Sequence, residues 1–374
     1  MALLRRDDGG DRRMTVPAIV SDPQEITPQW LTRVLHGAGV GAGARVVAAR
    51  STIVGTGQMG RNLRFELDWD VEAPDAPRTV VCKFPSDNPK SRATGRAQGA
   101  YEKEVRFYTE LADTVGICTP RCLFAAVEPE SGDFVMLMED LAPAVQGDQL
   151  AGCSLDQAAL ALREASRLHA PRWGDPSLEQ IAFLAAPGAD SAQLLQTMYK
   201  ALWPGFAERY AASLAPEVID LSQRLGDHLA GWVLAGTTPL TLVHGDYRID
   251  NMLFGTEAGG YPLAVVDWQT LGLGAGVADV AYFMGASLLP EDRRSREEAL
   301  LREYHAQLLA GGVGSYSWDQ CFHDYRRNTF GGVVMAVVAS MLVEQTERGD
   351  EMFLAMASRH AHHALDLESE ALLS

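Results

Sequence analysis

The sequence predicts an α+β chain folded as two lobes, a β-rich N-lobe followed by a helical C-lobe, and three observations carry that reading. The chain has 374 residues, more than one domain of ordinary length. Between Arg45 and Phe84 apolar residues recur at every second position, the period of a half-buried strand. From Asp156 onward the spacing is helical over most of the remaining length. Residues 1–140 are therefore assigned to an N-terminal lobe and 141–374 to a C-terminal one, with a cleft between them.

The elements follow in order. Residues 1–20 read as a flexible tail: "MALLRRDDGGDRRM" is charged almost throughout and lacks the continuous apolar stretch of a signal peptide. In "TPQWLTRVLHGAG" a Thr27 cap and Pro28 precede Trp30, Leu31, Val34 and Leu35 on one face, a short amphipathic helix closed by glycine. "RVVAARSTIVG", "RNLRFELDW" and "RTVVCKF" are three strands, separated by a glycine cluster and by "EAPDAP". The helical period returns from about Ala97 to Ala112, and "DFVMLMEDL" (Asp133–Leu141) is again a β-type run. Helices are expected over Asp156–His169, Ala192–Tyr210 and Pro216–Ala235. Two short strands, Thr241–Val243 and Leu263–Val266, then interrupt, with Asn251–Phe254 between them. After Pro290 the chain is helical to its end. Its longest apolar run, Phe330–Val343, is too short to span a bilayer and reads as a core helix.

Composition narrows the function classes. A hydrophobic content of 47% excludes global disorder. A net charge of −17 repels phosphate backbones, so no nucleic-acid partner is expected, and with no apolar run long enough to span a bilayer no membrane partner is expected either. The cysteines (Cys82, Cys118, Cys122, Cys153, Cys321) are odd in number and include no CxxC pair, which reads as reduced thiols and a cytoplasmic location.

Chemistry concentrates in two places. The first is "VGTGQMG", with Gly55, Gly57 and Gly60 in G-x-G-x-x-G spacing. A dinucleotide fingerprint needs a helix directly after the glycines, but Leu63, Phe65, Leu67 and Trp69 alternate there as in a strand. A hairpin flap over nucleotide phosphates and a plain glycine-rich turn both fit that pattern. The next strand, "VVCKF", carries Lys83 among apolar neighbours, where a cation needs a partner. In "YEKEVRFYTEL", Tyr101, Glu104, Val105, Tyr108 and Leu111 share one helical face, which puts Glu104 on the buried stripe as the natural partner of Lys83.

The second place is "LVHGDYRIDNMLF" (Leu242–Phe254) followed by "LAVVDWQ" (Leu263–Gln269). Asp246, Asp250, Asn251 and Asp267 stand beside strands, where carboxylates are costly to desolvate unless a cation compensates them. Asp246 and Asn251 lie on one loop after a strand, and a hairpin returns Asp267 beside Asn251. Hard oxygen donors, few in number, suit Mg²⁺.

Together these residues resemble the aminoglycoside phosphotransferase/choline kinase-like superfamily, and most closely its ecdysteroid-kinase-like and acyl-CoA-dehydrogenase-linked kinase branches. The resemblance runs from about Ser51 to Phe283 and includes Glu104, Phe107 and Tyr108 as "ExxFY", "RLHAPRW" (Arg167–Trp173) and "HGDYRIDN" with "DWQ". It implies a protein-kinase-like two-lobe fold, ATP and Mg²⁺ as cofactors, and a small hydroxylated molecule as acceptor. Gly55, Gly57, Gly60, Lys83 and Glu104 would then bind the nucleotide, whose base would meet the backbone of Glu139–Leu141. Asp246 is expected as the catalytic base, with Asn251 and Asp267 on the metal. Arg248 either neutralises the γ-phosphate or pairs locally, and both readings stand. His244 and Asp279 are expected to brace the loop, Asp250 to serve its turn, and "HAHH" (His360–His363) to lie on a helix surface. Asp267-Trp268-Gln269 replaces the DFG of protein kinases and no A-P-E follows, which points away from a protein substrate.

The expected function is an ATP- and Mg²⁺-dependent phosphotransferase acting on a small-molecule hydroxyl. The acceptor site is assigned to the helices between Asp156 and Ala235 and after Pro290, which carry Trp173, Tyr199, Trp203, Phe206, Tyr210, Tyr325, Arg326 and Arg327. No dense acidic cluster for the ammonium groups of an aminoglycoside appears there. An apolar acceptor with an anionic handle, such as a hydroxyacyl thioester, fits better. The alternatives are an aminoglycoside or choline-like kinase and a catalytically silent nucleotide binder; loss of Asp246 or Asp267 would mark the latter, and neither is missing.

Overall fold

The period-two runs become a five-stranded antiparallel sheet in the computed structural model, which describes residues 18–55, 59–184, 186, 188–236 and 239–373. Its strands are β1 (Val46–Val54), β2 (Gly60–Trp69), β3 (Thr79–Pro85), β4 (Cys122–Glu128) and β5 (Asp133–Glu139), in the order β1-β2-β3-β5-β4. Most of the expected tail, residues 1–17, lies outside the described residues, as does Gly57.

Alternation decides what each face of the sheet holds. Val80, Cys82 and Phe84 of β3, with Leu63, Phe65 and Leu67 of β2, pack against helix α1 (Pro28–Gly37) through Trp30, Leu31, Val34 and Leu35. Thr27 caps that helix by accepting from the Trp30 N–H. Lys83 points to the opposite face, where Phe134, Met136 and Met138 of β5 meet Tyr101 and Val105.

The helix expected over 97–112 is divided. α2 (Pro89–Ala97) ends before Gly99, whose φ of 64° starts a new segment, α3 (Ala100–Arg106). A π-turn over Phe107–Leu111 follows. Neither α2 nor β4 was expected. α2 buries only Gly95, so it has no apolar stripe to read, and β4 shows no clean alternation of burial.

Beyond residue 140 the chain is largely helical. α4 (Leu155–His169) opens on a capping box of Ser154 and Gln157. α5 (Ala189–Tyr210) and α6 (Pro216–Leu234) follow. A short β6 (Val145–Gln146) pairs with the hairpin β8 (Met252–Thr256) and β9 (Gly259–Val265), and β7 (Thr241–Val243) pairs with β10 (Gly272–Gly274). α7 (Val277–Ser287), α8 (Pro290–Ala310), α9 (Trp318–Arg327), α10 (Gly331–Leu342) and α11 (Glu347–Asp366) complete the order. One core joins α4, α7, α8 and the hairpin; another joins α5, α6, α10 and α11. Among the described residues no helix is long and apolar enough to cross a membrane.

The "HAHH" run is not a surface feature. His360 and His363 of α11 are fully buried, with the His360 ring between Gly285 and Gly332. A Cβ at Gly332 would lie 2.0 Å from that ring, so both glycines are required by its presence.

Candidate active site

Lys83 sits where β3 passes under α3. Its Nζ lies 2.7 Å from the Glu104 carboxylate and 3.1 Å from Oδ1 of Asp267. Burial works against its charge, but Asp267 and Glu104 outweigh burial and raise its pKa, so it stays an ammonium. Gly60 backs this cation: a Cβ there would come within 3.0 Å of the Phe84 carbonyl and 3.2 Å of Lys83 Cε. Gly55 has φ +75° and turns the chain out of β1. Tyr101 ties the glycine loop to α3 by donating to the Met59 carbonyl at 2.8 Å.

Asp267 follows β9 in left-handed backbone, φ 68° and ψ 69°, an uncommon state for a residue other than glycine. Its side chain is 37% exposed while that of Glu104 is 2% exposed, so of the two partners of Lys83 only Asp267 has a face open to a ligand.

The loop after β7 is held from below by Asp279 of α7. Its carboxylate accepts the His244 N–H at 2.7 Å and the Gly245 N–H at 2.9 Å, and His169 lies 3.2 Å from it. His244 sits with Nε2 3.0 Å from the Val266 carbonyl and with Nδ1 accepting the Asp246 N–H at 3.3 Å. Gly245 has φ +81°, and a Cβ there would meet the Thr270 carbonyl at 2.6 Å, which explains the glycine of "HGD".

This bracing leaves the Asp246 carboxylate surrounded by donors. Tyr282 Oη donates at 2.9 Å, Arg248 Nε at 3.0 and 3.1 Å, and Asn251 Nδ2 at 3.0 Å. Burial opposes its ionisation, but Arg248, His244 and Tyr282 outweigh burial and hold its pKa below the usual carboxylate range. Arg248 pairs locally: beyond Asp246 it donates to Asp250 and to Gln149 Oε1. Asp250 in turn accepts the Gln149 N–H, which ties the loop to the segment before α4.

Asn251 spends Nδ2 on Asp246, and its backbone carbonyl accepts the Val266 N–H at 3.0 Å, one residue before Asp267. The hairpin thus joins the Asp246 loop to Asp267. Two oxygen donors, Asn251 Oδ1 and the Asp267 carboxylate, remain for a hard cation, which fits the few protein ligands Mg²⁺ takes.

At the base of β5 the Glu139 N–H donates to the Arg121 carbonyl and the Leu141 carbonyl accepts from Ala144. The Glu139 N–H is therefore spent, while the Leu141 carbonyl keeps a second lone pair. Among the described residues the Asp140 carbonyl and the Leu141 N–H have no backbone partner. Arg64 fixes Asp140 through two bonds, at 2.5 and 2.9 Å.

The aromatic residues assigned to the acceptor site are mostly core. Tyr199, Phe206, Tyr210 and Tyr325 are buried, and Arg326 and Arg327 donate to the backbone carbonyls of Leu367 and Trp232. Among the described residues, the side chains that reach Asp246 and Arg248 from outside their loop include Tyr282, Gln149 and Met352, whose sulfur lies 3.6 Å from Arg248 Nη1. Tyr282 is one helical turn after Asp279, a spacing that could have singled it out.

A model of the phosphotransferase enzyme family matches residues 64–317. An ethanolamine kinase from Plasmodium vivax shares the fold over 95% of each chain, with a TM-score of 0.54 and 9% identity. A choline kinase from Cryptosporidium parvum does so over 87% of this chain and 90% of its own, with a TM-score of 0.52 and 11% identity. In sequence, mouse acyl-CoA dehydrogenase family member 10 is 52% identical over 50 residues, a stretch that is 13% of this chain and 5% of that protein.

Proposed function

The chain belongs to the phosphotransferase enzyme family and is a small-molecule kinase, and we propose that it transfers the γ-phosphoryl group of Mg·ATP to a hydroxyl of a small, largely apolar acceptor. The observation that carries this reading is the buried ammonium of Lys83 held between Glu104 and the half-open Asp267. Phosphoryl transfer asks for positioned cations and an oriented hydroxyl more than for covalent chemistry. Lys83 would meet the α/β-phosphates, and the Gly55–Gly60 hairpin would lie over them. The base would pair with the Asp140 carbonyl and the Leu141 N–H. Asn251 and Asp267 would hold Mg²⁺, which when bound neutralises developing charge on the phosphates. Asp246 would accept the hydrogen bond of the acceptor hydroxyl and receive its proton as the phosphoryl group arrives. Arg248, spent on Asp246 and Asp250, would fix that loop.

The apolar character of the acceptor rests on what lies beyond Asp246. Met352 abuts Arg248, and Gly331 of α10 lies against the Tyr282 ring. From Gly331, Met335, Val338 and Leu342 continue the same helical face, each half-buried or exposed. A cationic acceptor would want a free carboxylate here, and Asp250 is already paired with Arg248. An anionic handle, as on a hydroxyacyl thioester, fits this surface better than the ammonium groups of choline or an aminoglycoside.

ADP release measured with hydroxylated acyl thioesters, choline, ethanolamine and kanamycin-type sugars, with and without Mg²⁺, tests the reading. Mg²⁺-dependent turnover of the thioesters is expected. Turnover of the sugars alone would sink the acceptor assignment, and Mg·ATP binding without turnover of any acceptor would favour a silent binder.

A further inference from the structure

One face of α7 grips three consecutive residues of the loop after β7. Asp279 accepts the backbone N–H groups of His244 and Gly245, and Tyr282, three residues on, donates its hydroxyl to Oδ1 of Asp246 at 2.9 Å. Residues three apart on a helix share a face, so both contacts come from one rigid surface. The Tyr282 ring is itself fixed: it is 6% exposed, Gly331 would place a Cβ 3.6 Å from it, and the His360 ring lies 5.1 Å away.

The donor inventory gives this contact a consequence. An ionised carboxylate offers about four lone-pair sites. Three donors already occupy Asp246: Tyr282 on Oδ1, Asn251 on Oδ2 and Arg248 Nε across both. The single Arg248 Nε–H is shared between the two oxygens, so three protons meet four lone pairs and about one site remains, its direction set by where the other donors sit. Arg248 and Asn251 lie on the same loop as Asp246, so they move with it. Among the described residues Tyr282 alone holds the carboxylate from outside that loop.

We propose that Tyr282 is the positioning residue of the phosphoryl transfer, orienting Asp246 so that its remaining lone pair faces the acceptor hydroxyl; this rests on the kinase reading above. Tyr282 acts through Asp246 and touches neither nucleotide nor phosphate.

The test is a double-mutant cycle with Tyr282→Phe and Asp246→Asn, read as kcat and as KM for Mg·ATP with the best acceptor of the panel, or with water as acceptor in slow ATP hydrolysis. Loss of one hydrogen bond to a charged group corresponds to about a tenfold fall in kcat. Tyr282→Phe should show that fall with KM for Mg·ATP within about twofold of wild type. In the Asp246→Asn background the same change should cost nothing further, because the group it orients is gone. A purely structural hydroxyl would lower both backgrounds alike, and that result overturns the proposal, as does wild-type kcat in Tyr282→Phe. Thermal melting accompanies each variant; a Tyr282→Phe protein that cannot fold assigns the hydroxyl to stability and also overturns it. Wild-type turnover in Asp246→Asn would instead remove the catalytic role of Asp246 in the reading beneath it.

Discussion

Trp268 lies stacked on Phe107, ring centroids 3.6 Å apart and planes 9° apart, both rings out of contact with solvent. Phe107 is three residues after Glu104, and Trp268 directly follows Asp267. The two carboxylates that hold Lys83 are therefore each anchored beside one member of a single aromatic stack. This gives a physical reason for the phenylalanine of "ExxFY" and the tryptophan of "DWQ". Trp268→Ala should cost about 3–5 kcal/mol of stability, as large core truncations do. The milder Trp268→Leu should stay folded yet bind Mg·ATP more weakly. A folded Trp268→Leu protein with unchanged affinity in calorimetric titration would show that the stack does not couple α3 to the Asp267 turn.

Lys83, proposed above to meet the phosphates, also pairs with Glu104, so its removal strands that carboxylate. An unpaired buried carboxylate destabilises by about 3–5 kcal/mol or takes up a proton. Lys83→Met should therefore lower the urea midpoint as well as turnover, and Lys83→Met/Glu104→Gln should recover much of the midpoint. On the proposed assignment turnover should stay low in both, since neither variant restores a cation at position 83. Equal midpoints for the single and double variants would argue that Glu104 is stabilised by something other than Lys83.

The parts of the site that were legible in the sequence are those where a polar residue interrupts a strong local pattern. Lys83 breaks an apolar strand, Glu104 breaks an apolar helical stripe, and Asp246, Asn251 and Asp267 stand directly after strands. Trp268 and Tyr282 each sit in an apolar context that core packing alone explains, and only its spacing of one helical turn from Asp279 sets Tyr282 apart. The "HAHH" run reads as polar, yet its His360 is buried. Phe353, Met356, Ala357, His360, Ala361 and Ala364 are all buried on α11, and that spacing already placed His360 on the apolar face. The acceptor side was the least legible: aromatic content pointed to Tyr199, Phe206 and Tyr325, which the helical cores absorb.

The buried histidines predict an acid-labile fold. Burial pushes His360 down to about 3, and His363 is also lowered by burial although Glu297 lies 2.7 Å away. Between about pH 6.5 and about 3 the unfolded chain thus binds more protons than the folded one, so stability falls as pH falls. The slope is about 1.4 kcal/mol per pH unit for each histidine kept neutral. Glu297 adds a later step. Burial opposes its ionisation, but His363, Arg293 and Tyr325 hold it at about 2, so its contribution is lost only as pH drops from the ordinary carboxylate range toward that value. Urea midpoints at pH 7.5, 6.0 and 5.0 should decline steadily in wild type. His360→Ala should start lower, for the cavity it leaves, and decline less. A flat wild-type profile across that range would contradict the burial of a neutral His360.

Asp246 and Asp267 differ in surroundings, and the difference separates their proposed roles. Asp267 touches Lys83 and leaves part of its carboxylate open, whereas Asp246 is enclosed by Tyr282, Arg248 and Asn251 and has no contact with Lys83. If Asp267 holds the metal, Asp267→Ala should weaken nucleotide binding chiefly when Mg²⁺ is present, and the Mg²⁺ dependence of the titration should shrink. If Asp246 receives the acceptor proton, Asp246→Asn should bind Mg·ATP as wild type does, because the change leaves the phosphates and their cations untouched. Its turnover should nonetheless fall by about 10²–10⁴-fold, the usual range for a lost general base. The asparagine keeps the shape but puts an NH₂ in place of one oxygen, so Arg248 and either Tyr282 or Asn251 would face a donor. Calorimetric titration with and without Mg²⁺, beside turnover of the best acceptor, reads both roles in one set of variants. Weakened Mg·ATP binding in Asp246→Asn would exchange the two assignments.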